Sequence, residues 1–209
     1  MLEQEAWGEL SKDQFEEFLR LFGERFGEPG RHRRLSISFW NHEMNEIDTR
    51  IRITDGVAEI MQKVGQWEGV SQWDRSEIHL KLASDPQQIF NAYKILRNLL
   101  PEHEVCHFIR FDNFVFRQPD FEIKLAHQSG KSNKYNFEVE FLNDQAELDK
   151  HRAQLDDKSD LDVILKSLGL TDLVTVTNEE FWNKWNEELN LSDMDLKEEQ
   201  IIELIKEYL

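Results

Sequence analysis

The stretch TRIRITDGVAEIMQKV, residues 49–64, decides the fold, because two alternating segments flank an Asp-Gly pair. Side chains of a β-strand point to opposite faces in turn. In the first segment Arg50 and Arg52 therefore share one face, and the isoleucines between and after them share the other. Asp55-Gly56 is a strong signal for a tight hairpin turn. The stretch thus predicts two antiparallel strands, each with an apolar and a polar face.

The same alternation recurs along the chain. Each repeat places aliphatic or aromatic residues on one face and charged residues on the other, which is the pattern of a half-buried strand. Together with the hairpin, the repeats predict an antiparallel sheet of about eight strands. The other alternating segments are LEQEAW (2–7), RLSISFW (34–40), RSEIHLKL (75–82), VCHFIRFDNF (105–114), FEIKLA (121–126) and FEVEFL (137–142).

Helical periodicity appears between these segments. Ser11 with Gln14 predicts a capping box, and Asp85 before Pro86 predicts a second helix start. The last helix is amphipathic and is predicted to dock on its own domain, with a partner or a homodimer as the alternative. We predict an α+β fold with a tunnel domain at 1–190 and a C-terminal amphipathic helix at 191–209. The predicted helices span 11–27, 85–100, 144–168, 178–190 and 193–208.

The charged faces of the strands allow two interpretations. An antiparallel sheet can leave one face open to water. Alternatively, the sheet curls into an eight-stranded β-barrel, the charged residues line its lumen, and the apolar faces point outward beneath the helices. Six acids and six bases favour the barrel: Glu3, Glu5, Glu77, Glu122, Glu138 and Glu140 against Arg50, Arg52, Lys63, Lys81, Arg110 and Lys124.

A lumen with both signs suits a metal-bound polyphosphate. Arg and Lys hold phosphoryl oxygens, and Arg does so with two parallel hydrogen bonds. Carboxylate pairs bind hard divalent cations, which in turn bridge to phosphate. The metal would offset the repulsion between paired glutamates and polarise the phosphorus centre.

Composition narrows the class of protein. The 209 residues suffice for one sizeable core. A net charge of −17 disfavours binding to nucleic acid or to an anionic membrane. The single cysteine, Cys106, excludes an internal disulfide. There is no apolar run of the roughly 20 residues that a membrane helix needs and no secretion signal, so we expect a cytoplasmic protein.

The ordered series of motifs resembles the CYTH superfamily, the triphosphate tunnel metalloenzymes. LEQEAWGELSKDQFEEFL (2–19) resembles the opening strand of the family, with its Glu-x-Glu-x-Lys signature, and its first helix. EIDTRIRITDGVAEIMQKVG (46–65) resembles its Arg-x-Arg strand, hairpin and lysine strand. FEIKLAHQSGKSNKYNFEVEFLNDQAELDKHRAQL (121–155) resembles its late hairpin, closing Glu-x-Glu strand and following helix.

The resemblance implies an eight-stranded tunnel that binds a triphosphate and one or two Mg²⁺ or Mn²⁺ ions. By position, the metal ligands would be Glu3, Glu5, Glu138 and Glu140, and the catalytic residues would be Glu3, Glu5 and Lys63. Glu77 and Glu122 are open to two roles, as metal ligands or as partners of the basic residues. The substrate-binding residues would be Arg50, Arg52 and Lys63, with Lys81, Arg110 and Lys124 from the later strands.

Three features of the sequence depart from the family pattern or lie outside it. Trp7 stands where the signature has lysine, and is open to stacking on a substrate ring or to plain packing. His79 occupies a lumen position that usually carries charge, and is open to a role as a base or to a hydrogen-bonded structural role. The basic run Arg31–Arg34 is interpreted as a loop, either guiding anionic substrate to the tunnel or solvated.

The predicted function is metal-dependent hydrolysis of inorganic, nucleoside or thiamine triphosphate, by a water that a metal or a glutamate activates. One alternative is a class IV-type adenylate cyclase, in which the ribose 3′-hydroxyl of ATP is the nucleophile. The other is a binding module for polyphosphate or nucleotide without catalysis.

Overall fold

One antiparallel sheet is the frame of the chain in the computed structural model, which describes residues 4–40, 47–64, 76–101, 104–141, 160–175 and 179–209. The strand order is β1-β8-β7-β6-β2-β3-β4-β5, and the short β9 pairs with β6. The predicted α+β fold with an antiparallel sheet of about eight strands is confirmed. The strands are β1 (Gln4–Leu10), β2 (Gly30–Trp40), β3 (Ile47–Thr54), β4 (Val57–Val64), β5 (Ser76–Lys81), β6 (His107–Arg117), β7 (Phe121–Ser129), β8 (Asn133–Phe141) and β9 (Leu191–Ser192).

The sheet is coiled into a tunnel that its hydrogen bonds do not close. Strands β1 and β5 stand at the two ends of the order and do not pair with each other in the described residues. Thr175 lies along the edge of β1 instead. The Thr175 N–H donates to the Trp7 carbonyl at 2.9 Å, and the Glu9 N–H donates to the Thr175 hydroxyl at 3.2 Å.

The Asp-Gly hairpin forms as predicted. Asp55 has φ 48° and Gly56 has φ 83°, the two positive angles of the tight turn whose twist matches that of the flanking strands. The turn fixes the register, in which Thr54 pairs with Val57 and Arg52 pairs with Glu59. The charged faces of β3 and β4 therefore coincide.

Five α-helices lie in the described residues, and their caps follow the sequence. Ser11 and Gln14 form the capping box at the start of α1, and the Asp85 side chain accepts from the Gln88 N–H at the start of α2. The predicted third helix is described only from Asp160 onward, and its earlier part lies outside the described residues. The helices are α1 (Lys12–Phe26), α2 (Pro86–Arg97), α3 (Asp160–Leu168), α4 (Glu179–Leu189) and α5 (Glu198–Tyr208). None of them is long and apolar enough to cross a bilayer.

Two hydrophobic cores cover the apolar face of the sheet. Helices α2 and α5 pack over β2 and β3, where Ile37 and Ile51 are fully buried, and α1 and α3 pack over β7 and β8, where Ile123 and Val139 are fully buried. Each such side chain contributes about 2 kcal/mol by leaving water. In α5 Ile201, Ile205 and Tyr208 are buried in the first core, so this helix docks on its own chain as predicted.

Helix α4 lies on the opposite face of the sheet. Its Trp185 packs edge-to-face on Trp7, and its indole N–H donates to the Gln128 side chain at 3.4 Å. The Lys134 Nζ atom lies 4.1 Å from the centre of the Trp185 ring. Trp7, Gln128 and Lys134 belong to the charged face of β1, β7 and β8, which is the lining of the lumen. The prediction that the helices pack outside the barrel is therefore wrong for α4.

Candidate active site

The strand register brings most of the predicted charged residues to one face. Residues paired directly across an antiparallel sheet point to the same side. Arg50 pairs with Ser38 and Met61, and Arg52 pairs with Ser36 and Glu59. The same face continues across β4, β5, β7, β8 and β1. It carries Lys63, Glu77, His79, Lys81, Glu122, Lys124, Glu138, Glu140, Glu5 and Trp7.

Four basic residues of β2–β4 form a cation cluster, which we define as Arg34, Arg50, Arg52 and Lys63. Arg50 lies in a bidentate ion pair with Asp48, at 2.9 Å from Nε and 2.6 Å from Nη2. The Asp48 carboxylate is only 1% exposed. Burial lowers the pKa of Arg50, but Asp48, Glu138 and Glu5 outweigh burial and raise it overall. The carboxylates of Glu5 on β1 and Glu138 on β8 are therefore close enough to the cluster to act on Arg50.

Arg34 and Arg52 are under electrostatic strain. Burial and then repulsion from Arg52 lower the pKa of Arg34 to about 10, and burial and then repulsion from Arg50 lower the pKa of Arg52. The Glu59 Oε1 atom lies 4.0 Å from Arg52 Nη1. The Arg52 Nε is buried and has no hydrogen-bond partner in the described residues. A buried guanidinium with one unsatisfied N–H, beside two other guanidinium groups, is receptive to an anion.

Lys63 belongs to a chain of charges that crosses β4 and β5. Its Nζ lies 2.8 Å from Glu77 Oε1, and Glu77 Oε2 lies 3.0 Å from His79 Nε2. His79 Nδ1 lies 3.1 Å from Glu59 Oε2. Burial raises the pKa of Glu77, but Lys63, His79 and Arg52 lower it to about 2 overall. Glu77 is therefore an ionised partner of Lys63 and His79.

The opposite side of the lumen is a carboxylate wall, which we define as Glu5, Glu122, Glu138 and Glu140. Glu5 and Glu122 both pair with Glu140 in the register, so three carboxylates follow one another across β1, β8 and β7. Glu138 forms an ion pair with Lys124. Burial raises the pKa of Glu138, but Lys124, Lys63 and Arg34 lower it overall. Glu122 pairs with Arg117 at 2.6 Å.

The carboxylate wall has the donor chemistry that a hard divalent cation prefers. In the described residues no three His, Cys, Asp or Glu side chains already converge as metal ligands. Glu3, the fourth predicted ligand, lies outside the described residues. The fit to a metal therefore rests on donor type and on the adjacency of Glu5 and Glu140.

The structure does not place every predicted substrate-binding residue at the cluster. Lys81 pairs with Glu59 in the register and is exposed. Arg110 lies on the other face of the sheet, because it pairs with the buried Leu35 and its Nε donates to the Ser129 carbonyl at 3.3 Å. The prediction that Arg110 lines the lumen is wrong, since the lumen residues of β6 are those at odd positions.

The basic run Arg31–Arg34 lies within β2, so its assignment to a loop is also wrong. Arg33 points outward and binds Glu207 at 2.8 Å, whereas Arg34 points into the lumen, where its Nε donates to the Thr54 hydroxyl at 3.0 Å. The alternation in RLSISFW carried this signal, because Arg34 shares parity with Ser36 and Ser38. Asp48 and Glu59 of the deciding hairpin are also lumen residues that were missed as members of the site. The alternation carried their signal too, because Asp48 shares parity with Arg50 and Glu59 shares parity with Lys63.

Trp7 has a packing role. Its ring lies 5.1 to 5.6 Å from those of Phe181, Trp182 and Trp185, with edge-to-face geometry in each case. These four residues are defined here as the aromatic cluster. Three rings of α4 thus occupy the position that would otherwise accept a stacked substrate ring, beside Glu138, the register partner of Trp7.

Comparison with solved structures gives the same architecture, although no family model and no curated protein matches the sequence. A Pyrococcus horikoshii protein has a TM-score of 0.58 at 13% identity, over 83% of this chain and 94% of its own. A proposed adenylyl cyclase from Hippeastrum with a dominant triphosphatase activity has a TM-score of 0.54 at 14% identity, over 87% and 96%. A chain of the Schizosaccharomyces pombe Mediator head module has a TM-score of 0.52 at 10% identity, over 80% and 96%.

These likenesses concern the fold, because all three identities are low. The Pyrococcus and Hippeastrum neighbours are CYTH-like proteins, and the tunnel fold fits them. The chain therefore has the fold of the CYTH-like proteins, as its ordered motifs indicated.

Proposed function

We propose that this chain binds and hydrolyses a triphosphate-containing substrate in the charged half of its lumen, with Mg²⁺ or Mn²⁺ bound. One observation carries the proposal: Arg52 is mostly buried beside Arg34 and Arg50, and its Nε has no hydrogen-bond partner among the described residues. Crowded buried cations cost free energy unless an anion accompanies them. A polyphosphate supplies several anionic oxygens along one chain.

The carboxylate wall would hold the metal, through Glu5, Glu138 and Glu140 together with Glu3. Glu5 and Glu140 are directly opposite in the register, and like charges in this position are destabilising without a cation. When bound, the ion would offset this repulsion and polarise the phosphoryl group. Glu138 would exchange its ion pair with Lys124, which would then be available to phosphate.

The cation cluster would position the phosphate chain. Arg50, Arg52 and Lys63 would bind phosphoryl oxygens, and Arg34 would add a fourth positive charge. A water would attack the terminal phosphorus in line, forming one P–O bond as the bond to the departing phosphate chain breaks, and Glu5 would accept a proton of that water. The cations would stabilise the charge that spreads over the phosphoryl oxygens.

The test is phosphate release from tripolyphosphate, ATP and thiamine triphosphate with Mg²⁺ or Mn²⁺, and with a chelator as control. We expect release from at least one substrate, and loss of that release with the chelator. Absence of release from all three would refute hydrolysis of these substrates.

A cyclase is a second candidate, favoured by the Hippeastrum neighbour, which is described as a proposed adenylyl cyclase with a dominant triphosphatase activity. The same cations would hold the phosphates of ATP, but the ribose 3′-hydroxyl would replace water as the nucleophile. Products distinguish the two reactions: cyclic AMP with pyrophosphate indicates cyclisation, and ADP with phosphate indicates hydrolysis.

The packing of Trp7 favours a third candidate, a binding module without turnover. Trp7 replaces the signature lysine, and three rings of α4 surround it. Calorimetry that detects tripolyphosphate binding without product release would support this candidate, provided that Glu138→Gln weakens the dependence of binding on metal.

A further inference from the structure

His79 lies between two glutamates that each also approach a member of the cation cluster. Glu77 uses one carboxylate oxygen for His79, at 3.0 Å, and the other for Lys63, at 2.8 Å. Glu59 likewise directs one oxygen to His79, at 3.1 Å, and the other toward Arg52, at 4.0 Å. The imidazole and the two cations therefore compete for the same two carboxylates.

The contacts of His79 define its protonation state. A carboxylate oxygen only accepts hydrogen bonds, and a neutral imidazole has a single N–H to donate. Because both ring nitrogens lie at hydrogen-bond distance from carboxylate oxygens, both bonds form only when the ring is an imidazolium. The pKa agrees in direction, since burial lowers it but the bonds to Glu77 and Glu59 raise it overall.

We propose that His79 is a positioning residue of the cation cluster: as an imidazolium it neutralises part of the charge of Glu59 and Glu77, which leaves Arg52 and Lys63 available to phosphate. The proposal rests on the proposed function and names a regulation of that site. When the ring loses its proton, the full negative charge of the two glutamates attracts the cations and repels the incoming polyanion. Phosphate binding should then weaken.

The direction of the pH effect follows from the groups that face His79. On its own strand these are Glu77 and Lys81, and on β4 they are Glu59 and, beyond Glu77, Lys63. Arg52 of β3 lies beyond Glu59. The two acids that contact the ring favour its charged form, so its proton is lost above the ordinary histidine range near pH 6.5.

The experiment compares tripolyphosphate binding by calorimetry, with and without Mg²⁺, in the parent protein and in His79→Gln and His79→Lys. At about pH 6.5 we expect His79→Gln to bind about tenfold more weakly, which is the equivalent of one pKa unit of interaction. Near pH 9 the affinity of the parent should fall toward that of the Gln variant. At the same pH His79→Lys should still bind as tightly as the parent does at pH 6.5, because an amine stays charged at pH 9.

The matched control is His127→Gln. His127 also has a ring nitrogen near a carboxylate, with Nδ1 3.7 Å from Asp112 Oδ2, but it lies on the outer face of the sheet. This variant should follow the pH profile of the parent. Because tripolyphosphate itself titrates in this range, only the difference between variants reports on His79. A His79→Gln profile that coincides with the parent, or a His79→Lys profile that coincides with Gln, would overturn the proposal.

A second measurement separates this proposal from the proposed function. In His79→Gln, Glu77 should hold Lys63 more tightly, so labelling of Lys63 by an amine-reactive reagent, followed by mass spectrometry, should slow about threefold, or half a pKa unit. Exposed Lys12 is the internal reference. If the parent does not bind tripolyphosphate, the proposed function fails, and the labelling rate alone decides for or against His79.

Discussion

The two halves of the lumen are built on the same face of the same sheet, yet they are filled in opposite ways. In one half the aromatic cluster closes on itself, and Trp185 also bonds Gln128 and covers Lys134. In the other half the cation cluster stays crowded with like charge, and Arg52 Nε has no hydrogen-bond partner among the described residues.

The difference separates stability from binding. Edge-to-face aromatic contacts and buried aromatic surface stabilise the folded chain. Buried like charges destabilise it and are tolerated where they bind something else. We therefore expect substitutions in the aromatic cluster to change the unfolding free energy, and substitutions in the cation cluster to change the chemistry.

The largest effect is expected for Arg52→Leu in the cation cluster. Loss of a charged donor to the phosphoryl oxygens should lower kcat/KM for tripolyphosphate by about a hundredfold to a thousandfold. The unfolding free energy should stay constant or rise, because a mostly buried cation is replaced by an apolar side chain. Arg20→Leu, on the exposed face of α1, is the control and should leave kcat/KM unchanged. Equal activity in the two variants would erase the contrast between the halves.

Trp185→Ala tests the aromatic half. Removal of this buried ring should lower the unfolding free energy by about 3 kcal/mol, as large-to-small changes in a core do. Urea denaturation followed by circular dichroism measures this value, with Trp185→Phe as the conservative control. Turnover measured well below the melting temperature should remain near that of the parent. A variant with parental stability would show that α4 does not seal this half.

A smaller effect is expected from pH, through the charge chain of Lys63, Glu77, His79 and Glu59. The pKa of His79 is raised in the folded chain, so its stabilising contribution is complete below its unfolded value and is lost as pH rises through the folded one. The pKa of Glu77 is lowered to about 2, so its contribution is present above its unfolded value and is lost as pH falls toward 2.

The His79 part is measured by urea unfolding between pH 5 and 9, in the parent and in His79→Gln. The parent should lose less than about 1 kcal/mol across the upper part of this range, because His79 is 41% exposed and its ion pairs are screened. The Gln variant should lose less than the parent. Parallel curves would contradict an imidazolium between the two glutamates.

Arg110→Gln should have the smallest effect. Arg110 lies on the outer face, so kcat/KM for tripolyphosphate should not change, and stability should change by less than about 0.5 kcal/mol, as for most surface substitutions. A large loss of activity would indicate that Arg110 lines the lumen, and would contradict the register of β2 and β6.

Alternation alone was enough for most of the fold. The Asp55-Gly56 turn, the capping box of Ser11 and the parity of Arg50 and Arg52 are local features, and local chemistry determines them. The same reasoning failed for Arg110, because β6 has apolar residues on both faces: Phe108 is buried in a core, and Ile109 is buried toward the lumen. Because β6 has no purely polar face, the alternation of its residues does not show which of them point into the lumen.

The candidate site was predicted less completely, for a tertiary reason. The register of β2 against β3 determines which residues of β2 lie beside Arg50 and Arg52. The sequence of one strand does not contain this register. Alternation places Arg34 and Asp48 on the lumen face, but only the register shows that Arg34 pairs with Thr54 and Ser36 with Arg52. The position of α4 inside the tunnel could not be predicted either. Its apolar stripe shows that the helix packs on the sheet, but not on which face.

Thr175 lies along the edge of β1, where its N–H bonds the Trp7 carbonyl and its hydroxyl accepts from Glu9. An edge strand with open backbone groups is a template for pairing with another molecule and hence for aggregation. By occupying two of those groups, Thr175 blocks the edge at the aromatic end of the tunnel. This contact within the chain therefore also protects the sheet from growing by addition of a second molecule.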